Sequence, residues 1–288
     1  MYPARFEYFV PTTLDEALEI LGRYDDGDAK VLAGGMSLIP VMKLRFATPR
    51  AIVDINRIGG LDTLAEEGGQ LRIGALVRHK TCEQSELLKG KYGALGDAAP
   101  QISDPIVRNL GTVAGSLAHA DPQGDWASVM LAVHAEVVVR GTAGERTIPI
   151  DELFEGPFTT SLAPNEVVTE VRVPDPGAHA GGTYLKLERK VGDFATAGVA
   201  VHVSMSNGTV ERAGIALTGV GPTNIRAAAA EEALTGHALD DDAIDEVSRL
   251  AAEAAQPRAD LRGTEEYKRN AIRVLTARGL RKVKEGRS

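Results

Sequence analysis

The chain has 288 residues, of which 43% are hydrophobic and 25% charged, a composition that excludes a disordered or fibrous protein and leaves room for two or three folded domains. Thirty-two basic against forty acidic side chains give a net charge of −8, so there is no counterion-releasing surplus for a non-specific polyanion binder, and 5% aromatic residues argue against a nucleic-acid stacking platform. The one cysteine, Cys82, excludes an internal disulfide and any iron–sulfur cluster held by this chain alone, since such a cluster needs about four ligands.

Thr13-Leu14-Asp15-Glu16 has the form of a capping box, and Leu14, Ala17, Leu18, Leu21 and Tyr24 recur at helical spacing, which predicts a helix over 14–24 and then a turn over 25–28. Short strands are expected at 29–32 and, after Pro49, at 51–55, giving a β-α-β-like module that ends near residue 57. A strand at 71–76 and helical stretches over 81–99 follow. Trp126, Val129, Met130 and Val133 put one apolar face on a helix directly before a strand at 136–140, with further strands at 147–150 and 166–173. Pro174-Asp175-Pro176-Gly177 with Gly181-Gly182 reads as a linker. Beyond it, strands at 183–188, 198–205 and 209–220, the last two joined by an Asn207-Gly208 turn, form an antiparallel set. Helices at 225–234, 241–254 and 265–283 close the chain. The expected domains are therefore 1–57, 58–177 and 178–288. No stretch approaches the 18 or so apolar residues of a membrane span, and Met1–Glu7 lacks the apolar core of a secretory signal, so the protein reads as cytoplasmic.

Two glycine-bearing segments stand out, Val31-Leu32-Ala33-Gly34-Gly35-Met36-Ser37-Leu38-Ile39-Pro40 and Asn109-Leu110-Gly111-Thr112-Val113-Ala114-Gly115-Ser116. Successive amides in such turns form a concave nest for phosphate oxygens, which makes the pair a candidate dinucleotide cradle. Taken alone, Gly34-Gly35 reads as a plain turn sooner than as a cradle, and it is the surrounding pattern that reverses this order. Neither the G-x-G-x-x-G nor the G-x-x-x-x-G-K-[ST] pattern occurs, so a nucleotide site here needs another scaffold. The six histidines lack H-x-x-x-H and H-E-x-x-H spacing, and G-x-S-x-G is absent, so no metal ligand and no catalytic residue is assigned.

Ala33-Gly34-Gly35-x-Ser37-Leu38, Asp104-Pro105-x-x-Arg108-Asn109-x-Gly111-Thr112-x-x-Gly115, Asp121-Pro122-x-Gly124-Asp125 and Tyr184-x-Lys186-Leu187-x-Arg189-Lys190-x-Gly192-Asp193-Phe194-Ala195 occur in this order over essentially the whole chain. Together they resemble the flavin subunit of the molybdenum hydroxylases (the xanthine oxidase family), and most nearly the medium subunits of the aerobic carbon monoxide dehydrogenase type. The resemblance implies an α+β fold: a vanillyl-alcohol-oxidase-type (PCMH-type) FAD-binding fold of two subdomains, then a C-terminal antiparallel sheet with helices.

By the same resemblance Ala33, Gly34, Gly35, Met36, Ser37 and Leu38, with Thr112, Ala114, Gly115 and Ser116, hold the FAD pyrophosphate. Asp125 reaches the ribose or adenine end, while Ile102, Lys186 and Phe194 border the isoalloxazine. Asp125 also sits where an N-cap is wanted before Trp126. The partners it implies are a large subunit with molybdenum and molybdopterin cytosine dinucleotide and a small subunit with two [2Fe–2S] clusters, as a dimer of heterotrimers. Electrons then leave FAD for an acceptor such as a quinone. Carbon monoxide is the expected substrate of the complex, an aldehyde or N-heterocycle the alternative, and a flavin-free scaffolding subunit a third reading. Met36, Ala114, Ser116 and Phe194 depart from the usual residues of the family's motifs. At Ala114 a positive φ would cost about 1 kcal/mol or more.

Overall fold

Thr13 opens helix α1 (Leu14–Leu21) by accepting the Glu16 N–H at 3.2 Å, while the Glu16 carboxylate reaches back past it to the Thr12 N–H at 2.9 Å. Ala17, Leu18, Ile20 and Leu21 are buried, and the helix stops short of Tyr24 because the Gly22 N–H closes on the Leu18 and Ile20 carbonyls. The computed structural model describes residues 2–24 and 27–286, so Asp25 and Asp26 of the expected turn lie outside it.

The first sheet is parallel, with β3 (Ala51–Asp54) between β1 (Glu7–Phe9) and β2 (Ala29–Leu32). Parallel neighbours need a crossover, and α2 (Leu38–Lys43) supplies it between β2 and β3. Strand β1 carries no buried apolar run, which is why the sequence does not announce it.

The second sheet is antiparallel in the order β4 (Leu64–Glu67), β5 (Gln70–Gly74), β10 (Val167–Pro174), β6 (Glu136–Gly141), β7 (Gly144–Pro149). Between β5 and β6 the chain runs through α3 (His79–Gln84), α4 (Glu86–Lys91), α5 (Gly93–Ala98), α6 (Pro105–Leu110), α7 (Val113–His119) and α8 (Asp125–Ala132). A small hairpin of β8 (Phe154–Gly156) and β9 (Thr159–Thr160) precedes β10. Every residue of α8 is buried, so the single apolar face read from the sequence undershoots. The helix is sandwiched between α7 and α5 on one side and the third sheet on the other.

That third sheet is antiparallel, in the order β11 (Ala180–Leu187), β12 (Ala197–Ser206), β13 (Thr209–Thr218), β14 (Ile225–Arg226), followed by α9 (Ala228–Leu234), α10 (Asp241–Ala254) and α11 (Glu265–Glu285). Strand β12 is buried without interruption from Ala197 to Ser204, as a strand covered on both faces must be. The expected linker shortens to 175–179: Gly181 and Gly182 are strand residues paired with Val203 and His202. Ile225 and Arg226 likewise pair with Leu217 and Ala216 before the helix begins.

Candidate functional site

At the end of β2 the chain turns through Ala33–Ser37 into α2. Gly35 has φ +72°, and a Cβ there would lie 2.7 Å from Ile39 Cδ1, so conformation and space both select glycine. Gly34 packs backbone to backbone: its Cβ would fall 2.2 Å from the Leu110 carbonyl oxygen and 2.7 Å from Gly111 Cα. The two glycine segments therefore touch. Among the described residues, the N–H groups of Gly34, Gly35, Met36 and Ser37 donate to no protein acceptor. Ser37 stands at the N-cap of α2, yet its hydroxyl caps nothing. Unspent donors at a turn leading into a helix are what an anionic oxygen requires, so the residues present fit the FAD pyrophosphate.

The second segment is built differently. Val77–His79 lies antiparallel to Gly111–Val113, with His79 N–H on the Gly111 carbonyl at 3.0 Å and Val113 N–H on the Val77 carbonyl at 3.3 Å. Thr112 then caps α7: its Oγ1 accepts the Gly115 N–H at 3.1 Å, and its carbonyl accepts the Ser116 N–H at 3.0 Å. Thr112 and Ala114 are buried, and the amides of Val113, Gly115 and Ser116 are already spent. The Thr112 and Ala114 N–H groups have no protein acceptor among the described residues, and the segment as a whole is a strand-to-helix junction buttressing the first. Ala114 lies inside α7 and is not among the positive-φ residues, so its methyl carries no left-handed strain.

Two residues that the sequence reading passed over tie the segments together. Asn56 Nδ2 donates to the Ala33 carbonyl at 2.8 Å, and the Arg78 guanidinium donates to both Asn56 Oδ1 and the Leu110 carbonyl. Asp54 fixes Asn56 by accepting its backbone N–H at 2.9 Å and its Nδ2 at 2.6 Å, and Tyr8 OH donates to the same carboxylate. Burial opposes ionisation of Asp54, but these hydrogen bonds and the charge of Arg57 hold its carboxyl below the usual range. Asp54-x-Asn56 at the end of the strand expected over 51–55 was a legible turn signal. Arg78 had none.

A second cluster forms around Asp125. Gly124 takes the N-cap position, correcting the reading of Asp125 as cap; Asp125 is the first residue of α8 with its side chain turned inward. Its Oδ1 accepts from Tyr184 OH at 2.6 Å and its Oδ2 from Lys186 Nζ at 3.0 Å, and Lys186 Nζ also donates to the Gln101 carbonyl at 3.1 Å. Burial pushes the Asp125 carboxyl up, against the opposing pull of Lys186 and Tyr184. Burial, then Asp125, raises the Tyr184 phenol well above its ordinary range.

Ile102, buried, follows Gln101 in a turn whose Ile102 and Ser103 carbonyls both accept from Arg108 at 3.0 Å. Since 102–116 is one stretch through α6 and α7, the two clusters share a frame. Ser116 closes the gap, its Oγ lying 3.8 Å from where a Cβ on Gly124 would stand. Asp125 and Lys186, expected at opposite ends of the cofactor, form a single ion pair and cannot serve opposite ends of an extended dinucleotide. Phe194 stands outside the buried cluster, half exposed, on a loop braced by Arg189 and Arg262 on Asp193 and resting at Gly192 against the Ser103 carbonyl.

His79 lies behind Gly111 and accepts the Trp126 indole N–H on Nδ1 at 3.0 Å. Burial, helped by the charges of Arg108 and Arg78, lowers its pKa from 6.5 to about 4. The unfolded chain takes up a proton that the folded chain refuses. Stability is therefore full above about pH 6.5 and declines by about 3 kcal/mol as pH falls towards 4. Urea unfolding across this range should show that slope in the native chain and lose it in His79→Gln, which keeps an acceptor for Trp126 but does not titrate; an unchanged slope would remove His79 as its source.

A parallel β-α-β unit meets an antiparallel sheet at a turn with open amides, and a helix-backed antiparallel sheet follows: this is the PCMH-type FAD-binding fold with a C-terminal flavoprotein sheet. Residues 4–176 match the family described as FAD binding domain in molybdopterin dehydrogenase, and residues 182–283 match the CO dehydrogenase flavoprotein C-terminal domain. The chain belongs to this family of FAD-binding molybdopterin dehydrogenase subunits. It is 42% identical to the carbon monoxide dehydrogenase medium chain of Hydrogenophaga pseudoflava, with 97% of each chain covered. It is 34% identical to the glyceraldehyde dehydrogenase medium chain of Sulfolobus acidocaldarius, with 98% of this chain and all of the relative covered. A solved structure of the Hydrogenophaga carbon monoxide dehydrogenase lacking the Mo-pyranopterin moiety of its cofactor superposes with a TM-score of 0.94, at 44% identity over 98% of both chains.

Proposed function

We propose that this chain is the FAD-binding electron-transfer subunit of a molybdenum hydroxylase complex. It receives electrons from the [2Fe–2S] clusters of a small partner subunit, which are fed by a large subunit carrying molybdopterin cytosine dinucleotide, and delivers them to an external acceptor such as a quinone. The complex is a dimer of heterotrimers working in the cytoplasm, at the inner face of the membrane where a quinone is within reach. Carbon monoxide is its substrate. The aldehyde reading has specific support in the glyceraldehyde dehydrogenase relative, which matches over its whole length.

The observation that carries the proposal is the row of unspent N–H groups from Gly34 to Ser37. These donors and the Ser37 hydroxyl hold the pyrophosphate, and Ser116 closes the far side. The backbone contact of Gly34 with Leu110 excludes water from behind the turn. FAD supplies a centre that takes electrons singly and releases them as a pair. Ile102 gives the ring an apolar wall, and Lys186, fixed by Asp125 and the Gln101 carbonyl, presents a cation beside it that favours added negative charge. Asp125 acts here through Lys186 and not at the ribose or adenine. Phe194 covers the ring's outer face. The unspent donors also weigh against a flavin-free scaffold, which would have no use for them.

The purified complex is expected to hold one FAD per copy of this chain. Stopped-flow mixing with carbon monoxide or an aldehyde should bleach the flavin only when both partner subunits are present. Fast substrate-driven bleaching of the chain alone would make it a stand-alone oxidase and overturn the proposal.

A further inference from the structure

We propose that Asn56 and Arg78 act as one latch that sets FAD affinity by fixing both the aim of the Gly34 amide and the closure of Gly34 on Leu110. This rests on the FAD reading of the Ala33–Ser37 turn. Peptide planarity makes the Ala33 carbonyl and the Gly34 N–H two ends of one rigid unit pointing in opposite directions. Asn56, by gripping the Ala33 carbonyl at 2.8 Å, therefore points the Gly34 N–H away from itself, as one of the donors that the turn leaves unspent. On the other side Arg78 grips the Leu110 carbonyl, the group against which Gly34 is packed. The hydrogen bond from Arg78 to Asn56 Oδ1 joins the two grips, so neither carbonyl can rotate without breaking the link.

The residue types are specific to this task. Asp54 accepts from Asn56 Nδ2 at 2.6 Å, which fixes the amide with its nitrogen towards Ala33 and its oxygen towards Arg78. An aspartate at 56 would turn an acceptor towards an acceptor. A planar guanidinium can hold Leu110 and Asn56 at once in its fixed fork, whereas an ammonium is a point donor. Arg78 also differs from its neighbours in charge. Arg108 is paired with Glu83 and Arg72 with Glu67 and Glu170, but among the described residues no carboxylate lies within ion-pair distance of Arg78. Its side chain is only partly exposed, and Asp54 and Asp62 act on it from a distance. A partly desolvated cation without a counter-ion, bonded to the backbone of the cradle, complements a dianionic pyrophosphate.

The full-length chain, stripped of flavin and titrated with FAD by flavin fluorescence, provides the test. Asn56→Asp and Arg78→Met should each weaken FAD at least tenfold. Arg78→Lys should fall between Arg78→Met and the native chain, and the double variant should lose no more than the worse single one, because the two residues form one unit. Two readouts separate the latch from general structural support: any lowering of melting in the flavin-free variants should be too small to account for the loss of FAD, and the flavin midpoint potential of loaded variants should be unchanged. Unchanged FAD affinity in Asn56→Asp and Arg78→Met, or a loss matched by equal destabilisation of the flavin-free chain, overturns the latch while leaving the FAD reading intact. A native chain that takes up no FAD overturns the FAD reading and the latch with it.

Discussion

Gly34→Ala is expected to empty the flavin site. The added methyl would stand 2.2 Å from the Leu110 carbonyl oxygen and 2.7 Å from Gly111 Cα. Ordinary contact lies near 3.5 Å, so the two segments must part by roughly 1 Å. Both colliding atoms are backbone in elements that are held elsewhere: Leu110 by Arg78 and by the end of α6, Gly111 by its ladder with Val77–His79. Overpacking of this kind costs about 1–3 kcal/mol in stability, but the larger effect is on the ligand, since the amides of the turn move with Gly34.

Fewer than one chain in ten should retain FAD, read from the ratio of visible flavin absorbance to protein, alongside a lowered melting temperature. Gly35→Val blocks the same turn by another route. It meets the flexible tips of Ile39 and Leu32, but puts a β-branched residue at φ +72°. Stoichiometric FAD in Gly34→Ala at native affinity would show that the turn does not hold the cofactor.

What the sequence disclosed follows from how local each feature is. The helix at 241–254 carries its own cap, Asp240 accepting the Ala243 N–H at 2.9 Å, and an amphipathic stripe, so its bounds were readable. The strands at 29–32 and 51–55 were likewise carried by short apolar runs between turn residues, whereas the crossover helix α2 between them and strand β1 were not read. Gly34 and Gly35 were recognisable as a pair, but not the reason for the first: its neighbour Leu110 is brought in only when 77–79 pairs with 111–113. The same register brings Arg78 to the Leu110 carbonyl and Asn56, and no residue beside it in the chain hints at that. Asp125 shows the limit most clearly. Its position before Trp126 fits a cap, and only the arrival of β11 against α8 turns the carboxylate to Tyr184 and Lys186. The second glycine segment looked like the first because both carry small residues in sequence, yet Thr112, in capping α7, takes up the Gly115 and Ser116 N–H groups, and Val77 takes that of Val113.

Breaking the buried pair from its cationic side should have the other large effect. Lys186 has 1% of its side chain exposed and Asp125 8%, so Lys186→Met leaves Asp125 in the interior with only the Tyr184 hydroxyl for support and also removes the cation 3.5 Å from the more exposed Glu188. Removing one partner of a buried pair costs about 3–5 kcal/mol, because the remaining charge is uncompensated. The sign of the pH dependence follows from Asp125, whose folded pKa already lies above its ordinary value through burial. A carboxyl raised in this way contributes stability below its unfolded pKa, near 3.8, and loses it as pH climbs through the folded one. Loss of Lys186, which pulls that pKa down, moves the folded value further up and widens the window of loss.

The deficit of Lys186→Met against the native chain should therefore be larger at pH 8 than at pH 5 in urea unfolding. Asp125→Asn in the same chain should recover most of it, since an amide keeps an acceptor for Tyr184 and carries no charge. In flavin-loaded protein the loss of the cation should also lower the midpoint potential of FAD, and Asp125→Asn, by removing the opposed charge 3.0 Å away, should bring most of that shift back. A Lys186→Met chain within 1 kcal/mol of native stability at pH 8 would mean that water reaches Asp125, and that Lys186 is not the buried cation proposed beside the ring.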